Sequence, residues 1–332
     1  MEFGQKCVQV DQRELAFLIQ WSERREAVRR VREAGRPKPW TDDPLLLDYR
    51  WCNVSRMDDR VSIALLRDWY PVGANPATVL AAACLGRLVN WPESLMAVSL
   101  GAHFSLDQLP HARFRLEQRA SAGLKVFTGA YVVPGRPGES KIETVVRHAE
   151  RIAQRGDAIL GKTMRATWAS LIELDGLGSF LAGQIAADIA HLDAGSAWPD
   201  RATWAPLGPG SARGINRLAG RPKQQAISQE QFEQELPALI ELLVPRIRGI
   251  YEDRRLLAMD FQNCLCEYDK YRRLSLKEGP RPGPLRGPGS SRAGKPPGLL
   301  VARRRAGSRV PTAVARSWEE AAQCFACRSL DG

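Results

Sequence analysis

Asp59, Asp200 and Glu267 are carboxylates set among arginines, tryptophans and glycine turns. A carboxylate at the mouth of a nucleic-acid cleft can stabilise positive charge on a sugar or activate a nucleophile. Asp200 stands in "WPDRATWAPLGPGSARGINRL", just after Pro199. Asp59 stands in "RWCNVSRMDDRVS" beside Arg60, with Asn53 and Arg56 at helical spacing on what reads as one face. Glu267 stands in "FQNCLCEYDKYRR", with Asp269 and Lys270 among Tyr268 and Tyr271. Each carboxylate also has a purely structural role open to it. Asp200 can N-cap a short helix, Asp59 can join an Arg–Asp network, and Glu267 can ride a terminal helix with its charges solvated.

Two glycine turns could hold phosphate. In "LDGLGSFLA", Gly176 and Gly178 sit between two helical patterns. Glycine permits backbone geometry that side chains obstruct. It also lets an anion approach the N–H groups opening the second helix, where the dipole favours negative charge. This is a helix-hairpin-helix pattern, and an ordinary helix corner with a glycine cap gives the same sequence. In helix-hairpin-helix DNA glycosylases a catalytic Asp lies about twenty residues beyond the hairpin glycines, the interval in which Asp200 falls. The second turn is "LGPGSARG". Gly208, Gly210 and Ser211 open a helix there, and Arg213 could converge with their N–H groups on one anion.

A third stretch, "GDAILGKT" at 156–163, matches the phosphate-cradling loop of P-loop enzymes. That loop requires a buried strand feeding the glycine turn. Upstream, Ile142, Val145, Val146, Ala149, Ile152 and Ala153 recur at helical spacing instead. No Walker B strand follows the octet. It reads as a break between two helices with Lys162 solvated. "GSSRAGKP" at 289–296 lacks the Ser/Thr for magnesium.

Helices must position these groups. "DQRELAFLIQWSERREAVRRVREAG" starts with Asp11 as N-cap, has Glu14 at capping-box spacing, and stops at Gly35. Another helix ends near Asn90-Trp91-Pro92. "LKVFTGAYVVPG" predicts a strand pair or an ordered loop. Further helices are expected over 141–155, 163–173, 179–192, 228–250 and about 252–272. No βαβ rhythm appears. The expected fold is mainly α, a single helical domain over 1–275 with a helix-hairpin-helix element.

The 332 residues carry a net charge of +11; residues 271–332 have 13 Lys or Arg against 4 Asp or Glu, so they hold +9 of it. An electrostatic attraction to nucleic acid would therefore rest mostly in the tail. Six Pro and five Gly between 280 and 298 lead into "ARRRAGSRV", so 276–332 is expected to be a disordered basic arm. Seven scattered cysteines fit a reducing, cytoplasmic setting. Cys264, Cys266, Cys324 and Cys327 make a poor thiolate set, because Cys-x-Cys on a helix splays its thiols, and no metal or other cofactor is expected. Neither a signal peptide nor a membrane span is expected.

Six ordered blocks resemble one family: "CNVSRMDDRVS", "VNWPES", "FTGAYVV", "LDGLGSFLAGQIAADI", "LGPGSARGINRL" and "LCEYDKY". It is the helical domain of 5-hydroxymethyldeoxyuridine DNA kinases, related to thymine pyrophosphorylase proteins of DNA thymine hypermodification. The resemblance implies a partner, double-stranded DNA with a modified thymine, and a separate P-loop DNA kinase, since this chain lacks the strand and Walker motifs. It implies DNA or phosphate contacts at Asn53, Arg56, Arg60, Gly176, Gly178, Gly208, Gly210, Ser211, Arg213 and Lys270. Asp200, Asp59 and Glu267 are the candidate acids. Such a chain would present a flipped base to its partner, or act itself on hydroxymethyluracil or its phosphorylated form, glycosylase-like or by displacing a group.

Removing residues 276–332 should leave a folded helical domain that binds DNA less tightly. The log–log salt dependence should flatten by about one unit for each phosphate that the tail no longer neutralises. Affinity measured over a salt series, with circular dichroism as the check on folding, reads this out.

Overall fold

The computed structural model describes residues 9–247 and 256–279. The tail beyond 279, with Cys324 and Cys327, lies outside them. Among the described residues the regular structure is helical throughout, in fourteen α-helices and two 3-10 turns.

The chain opens with α1 (Gln12–Glu33), whose N-cap Asp11 accepts the amides of Arg13 and Glu14. Glu14 does not close the expected capping box. Its carboxylate accepts instead from the Tyr268 hydroxyl and from Arg272 at 2.6 Å, pinning α1 to the last helix. The short α2 (Pro44–Asp48) follows, capped by Asp43. Residues 50–55 are not helical, which corrects the expectation of one helical face at 50–62. Local side-chain bonds outcompete the helix there. Asn53 donates to the Asp58 carbonyl at 2.7 Å, and Ser55 caps the 3-10 turn Arg56–Asp58. Then α3 (Arg60–Asp68) begins.

Next, α4 (Pro76–Val89) is buried on every side from Thr78 to Val89. A helix apolar all round belongs at the centre of a fold, and α4 packs against most of its neighbours. These are α5 (Pro92–Ser99), α7 (Lys141–Gln154), α8 (Gly156–Ile159) and α10 (Ser179–Ile189). Asn90 ends α4 in the left-handed region, at the break expected there. After α6 (Leu109–Ser121) the "LKVFTGAYVVPG" stretch is an ordered loop with no strand. Ser94 donates to its Val126 carbonyl at 2.9 Å and Lys141 to its Tyr131 carbonyl at 2.8 Å. Ser140 and Glu143 close a reciprocal capping box on α7.

The opening of the P-loop-like octet is α8 itself. A Cβ on Gly156 would lie 2.5 Å from the Ala77 backbone, so its glycine allows α8 to touch α4. Thr163 caps α9 (Met164–Ile172) through the Ala166 amide at 3.0 Å.

A turn joins α9 to α10, and α11 (Asp193–Ser196) follows. Beyond it, α12 (Pro209–Leu218), α13 (Gln229–Ile247) and α14 (Ala258–Ser275) close the fold. Helices α12 and α14 meet at small residues. A Cβ on Gly210 would lie 2.2 Å from the Cys266 sulfur, and one on Gly214 2.3 Å from the Leu265 carbonyl oxygen. Glu278, past the end of α14, pairs with Lys223 at 2.8 Å, so ordered contacts continue beyond the boundary expected at 275.

Gly214→Ala tests this packing. Alanine ordinarily favours a helix interior by about 1 kcal/mol over glycine. Here its methyl meets backbone that cannot turn aside, and a net loss of about 1–3 kcal/mol is expected. Urea denaturation measures it.

Candidate functional site

Four of the six blocks meet around one buried carboxylate. Asp188, on α10, is 4% exposed. Arg87 of α4 donates to both its oxygens, at 2.7 and 2.6 Å. Arg56, from the 3-10 turn, donates to it at 3.1 Å, and the Tyr70 hydroxyl supplies a further bond. Burial alone would raise the Asp188 pKa. The guanidiniums of Arg87 and Arg56 outweigh burial and bring it down to about 2.

The network spreads from there. Arg56 also donates to Gln184 Oε1 at 2.8 Å, and the Tyr131 hydroxyl reaches the same oxygen at 3.3 Å. Arg87 donates to Ser62 at 3.2 Å and to Asn90 at 3.3 Å, and Asn90 donates to Thr128 at 3.0 Å. A small cleft opens beside the carboxylate, lined by Arg56, Met57, Ser62, Leu66, Tyr70, Arg87, Asp188 and His191. His191 Nε2 has no hydrogen-bond partner among the described residues. Burial, then Arg56, holds its imidazole neutral, with a pKa lowered to about 4.

The N-terminus of α10 carries the hairpin. Gly176 has φ +82°, a conformation that requires glycine. Gly178 is the N-cap, extended at φ −71°, and a Cβ there would meet nothing within 4 Å. Its role is therefore not backbone strain, which corrects the expectation that both glycines need special geometry. Gly178 gives no side-chain cap, so the first-turn amides of α10 have no acceptor among the described residues. Ser179 and Phe180 are exposed around them. The neighbouring α9 differs. Asp200 accepts the amides of Met164 at 2.8 Å and Arg165 at 2.9 Å, so that helix end already holds a carboxylate.

The remaining predicted residues divide between two other places. Asn53 is buried against Arg25, and the Asp59 carboxylate accepts the Asn53 amide at 3.1 Å. Burial raises the Asp59 pKa. Arg60 is exposed at the first position of α3. Around α14, Asp269 is fully buried and receives Arg213 at 2.7 Å and Arg217 at 2.9 Å. Glu267 accepts Lys270 at 2.7 Å and the Cys52 amide at 3.3 Å, and the Lys270 ammonium lies 4.3 Å from the Trp51 ring centre. The charges of α14 are thus internal, not solvated as the sequence suggested for a docking helix. The "LGPGSARG" turn also faces inward. Ser211 is wholly buried, bonded to Gly208 at 3.0 Å and to Gln262 at 3.2 Å. Gly208, Gly210, Ser211 and Arg213 therefore build helix packing and an internal ion pair, in place of the anion cradle expected of them. No hydrogen bond or ion pair joins Asp59, Asp200 and Glu267 to one another among the described residues.

Sequence reasoning missed Asp188, Arg87, Tyr70, Gln184 and His191. A signal was present. Arg87 is a lone charge in "VLAAACLGRLV", and Gln184 and Asp188 interrupt "LAGQIAADIA". A charge inside an all-apolar helix is seldom buried without a partner.

His148 lies beneath the hairpin. It is fully buried on α7, its Cε1 is 3.3 Å from where a Gly176 Cβ would sit, and neither ring nitrogen has a partner among the described residues. Burial first, then Arg147 and Arg151, lowers its pKa to about 4, against Glu139 and Asp175. A lowered histidine pKa means that the unfolded chain takes the proton first. The stability held by neutral His148 is present above pH ~6.5 and is lost as pH falls to ~4. His148→Leu should therefore lose less stability than the parent across that window, by up to about 3 kcal/mol at its acid end. Denaturation midpoints at stepped pH give the answer, and parallel curves for the two proteins would refute it.

No helix among the described residues is long and apolar enough to cross a membrane. Among them no cluster of His, Cys, Asp or Glu could hold a metal ion, and the Cys264 thiol points at the Val54 carbonyl. A 5-hmdU DNA kinase of Bacillus phage SP10 is 28% identical over 209 residues, which cover 54% of this chain and 32% of that relative. The chain thus spans about a third of the relative's length. No solved structure matches. The family described as "5-hmdU DNA kinase, helical domain" matches residues 13–280. With that match over most of its length, the chain belongs to the 5-hmdU DNA kinase helical-domain family.

Proposed function

We propose that this chain is a DNA-binding, modified-base-handling module of a thymine hypermodification system, working with a separate P-loop kinase. The observation that carries the reading is the pairing of two features on α10. Its first turn offers amide donors with no protein acceptor, and its last turn carries Asp188 at the cleft. A phosphate at the first would anchor a duplex at the turn that opens α10. Backbone contacts of this kind position a duplex without reading its sequence. The ion-pair network that Asp188 makes with Arg87 and Arg56 would hold α10 rigid beneath that contact. The basic tail would add sequence-independent affinity.

A stand-alone enzyme finds less support. Asp59, Asp200 and Glu267 each hold a backbone amide, and none lines the cleft. Incubating the protein with hydroxymethyluracil DNA and with its phosphorylated form, then analysing nucleosides, separates the two readings. Unchanged nucleosides are expected.

Gly178→Val tests the binding mode. The position is extended and open, so the variant should fold. Its side chain would stand between the α10 amides and a phosphate. Affinity for random duplex should fall by about tenfold, equally for all sequences, as removal of a charge-assisted hydrogen bond implies. A folded variant that binds as tightly as the parent at the same salt would make the hairpin a plain corner.

A further inference from the structure

The charges around Asp269 do not balance. Arg213 and Arg217 of α12 and Arg273 of α14 all reach this one carboxylate, which is fully buried. Beside it Glu278 pairs with Arg217 at 2.5 Å and with Lys223 at 2.8 Å. Four cations thus face two carboxylates, a surplus of two positive charges. Arg213 and Arg273 each turn Nε to the same oxygen, Asp269 Oδ2, at 2.7 and 3.3 Å. Their Nε atoms therefore lie no further apart than the sum of those distances. The Nη groups of both have no acceptor among the described residues, and the side chains are 32% and 30% exposed. Like charges held this close repel, and partial burial removes water that would screen them. The carbonyl end of α14 draws in Arg273, which stands in its last turn, whereas Arg213 arrives from a different helix.

We infer that Arg213 and Arg273 clamp one phosphate group on the outer side of Asp269. A guanidinium fork matches the oxygens of a phosphate, and here two forks have given only Nε to the protein. A bound phosphate would offset the surplus charge. Asp269 is the inner support that fixes both guanidiniums before the ligand arrives. The turn at 208–211 takes no part, because its glycines and Ser211 pack against α14. The charge that follows selects the ligand. From residue 280 onward the sequence has ten Lys or Arg against three Asp or Glu, so the clamp lies where a long basic stretch begins. A nucleic-acid backbone carries phosphates in series and can meet the clamp and that stretch together. A free phosphate has the same chemistry and meets the clamp alone. The first source rests on the DNA-binding reading above; the second does not.

The test uses the full chain, the double variant Arg213→Gln, Arg273→Gln, and the single variant Glu278→Gln. Arg217 still pairs with Asp269 in the double variant, so it should fold, as circular dichroism checks. One probe is a random-sequence duplex over a salt series. The other is inorganic phosphate against chloride at equal ionic strength, read as a change in Tm. For a backbone phosphate, the double variant should bind duplex about tenfold more weakly at low salt, with the log–log slope flattened by about one unit. Glu278→Gln should bind more tightly, a gain that misfolding does not mimic. For a free phosphate, duplex binding should be equal in parent and double variant, and phosphate should raise the Tm of the parent alone. A double variant that matches the parent in duplex affinity, slope and response to phosphate overturns the clamp and leaves the DNA-binding proposal standing. A parent that binds no duplex but gains Tm from phosphate, with that gain lost in the double variant, keeps the clamp and overturns the DNA-binding proposal. A parent that responds to neither probe overturns both.

Discussion

The fold depends on the Asp188 carboxylate being enclosed by two guanidiniums. Arg87 reaches it from the central helix α4 and Arg56 from the turn before α3, while Asp188 itself belongs to α10. Taking three charges out of water costs several kcal/mol for each ion before they attract one another. Here nearly every donor is used. Ser62, Asn90, Gln184 and Tyr70 occupy the remaining hydrogen-bonding positions. A network so satisfied fixes one arrangement of the helices around it, and loss of Asp188 would leave Arg87 buried without its carboxylate. An ion pair of this kind adds little net stability over an apolar core. What it adds is a unique register for α4, α10 and the 50–59 segment, and a polar wall for the cleft.

A second carboxylate organises the C-terminal side in the same manner. Asp269 receives Arg213, Arg217 and, at 3.3 Å, Arg273, and so ties α12 to α14. The glycines of α12 make that tie possible, because side chains at 210 and 214 would hold the helices apart. Glu14, reaching Tyr268 and Arg272, brings α1 to the same helix. Charges that look like a functional surface in the sequence are here mostly the means by which long helices find their partners.

The N-termini of α9 and α10 differ for a reason of tertiary structure. Helix α9 follows the octet resembling a nucleotide loop, and its first amides are taken by Asp200, which arrives from 36 residues away. Helix α10 follows two glycines and receives nothing. An anion site needs free donors, and the chain has used them at one end and kept them at the other. The glycine turn that resembles a nucleotide loop is closed to phosphate, and the one that resembles a nucleic-acid hairpin is open.

Periodicity and caps alone determined the helical class, most helix positions, the break at Asn90 and the hairpin, because these follow from local spacing and backbone sterics. The six blocks carried the family, while Gln184 and Asp188, which break the apolar run of "LAGQIAADIA", were passed over although a charge in such a run seldom lies buried without a partner. Two things were decided only by the tertiary structure. Ser211 turned inward because α14 packs on its helix. Asp200 became a cap because α9 passes beside it. In each case the outcome depends on a partner chosen by packing. Sequence states which groups need partners, and burial at a distance of tens or hundreds of residues states which partner each one gets.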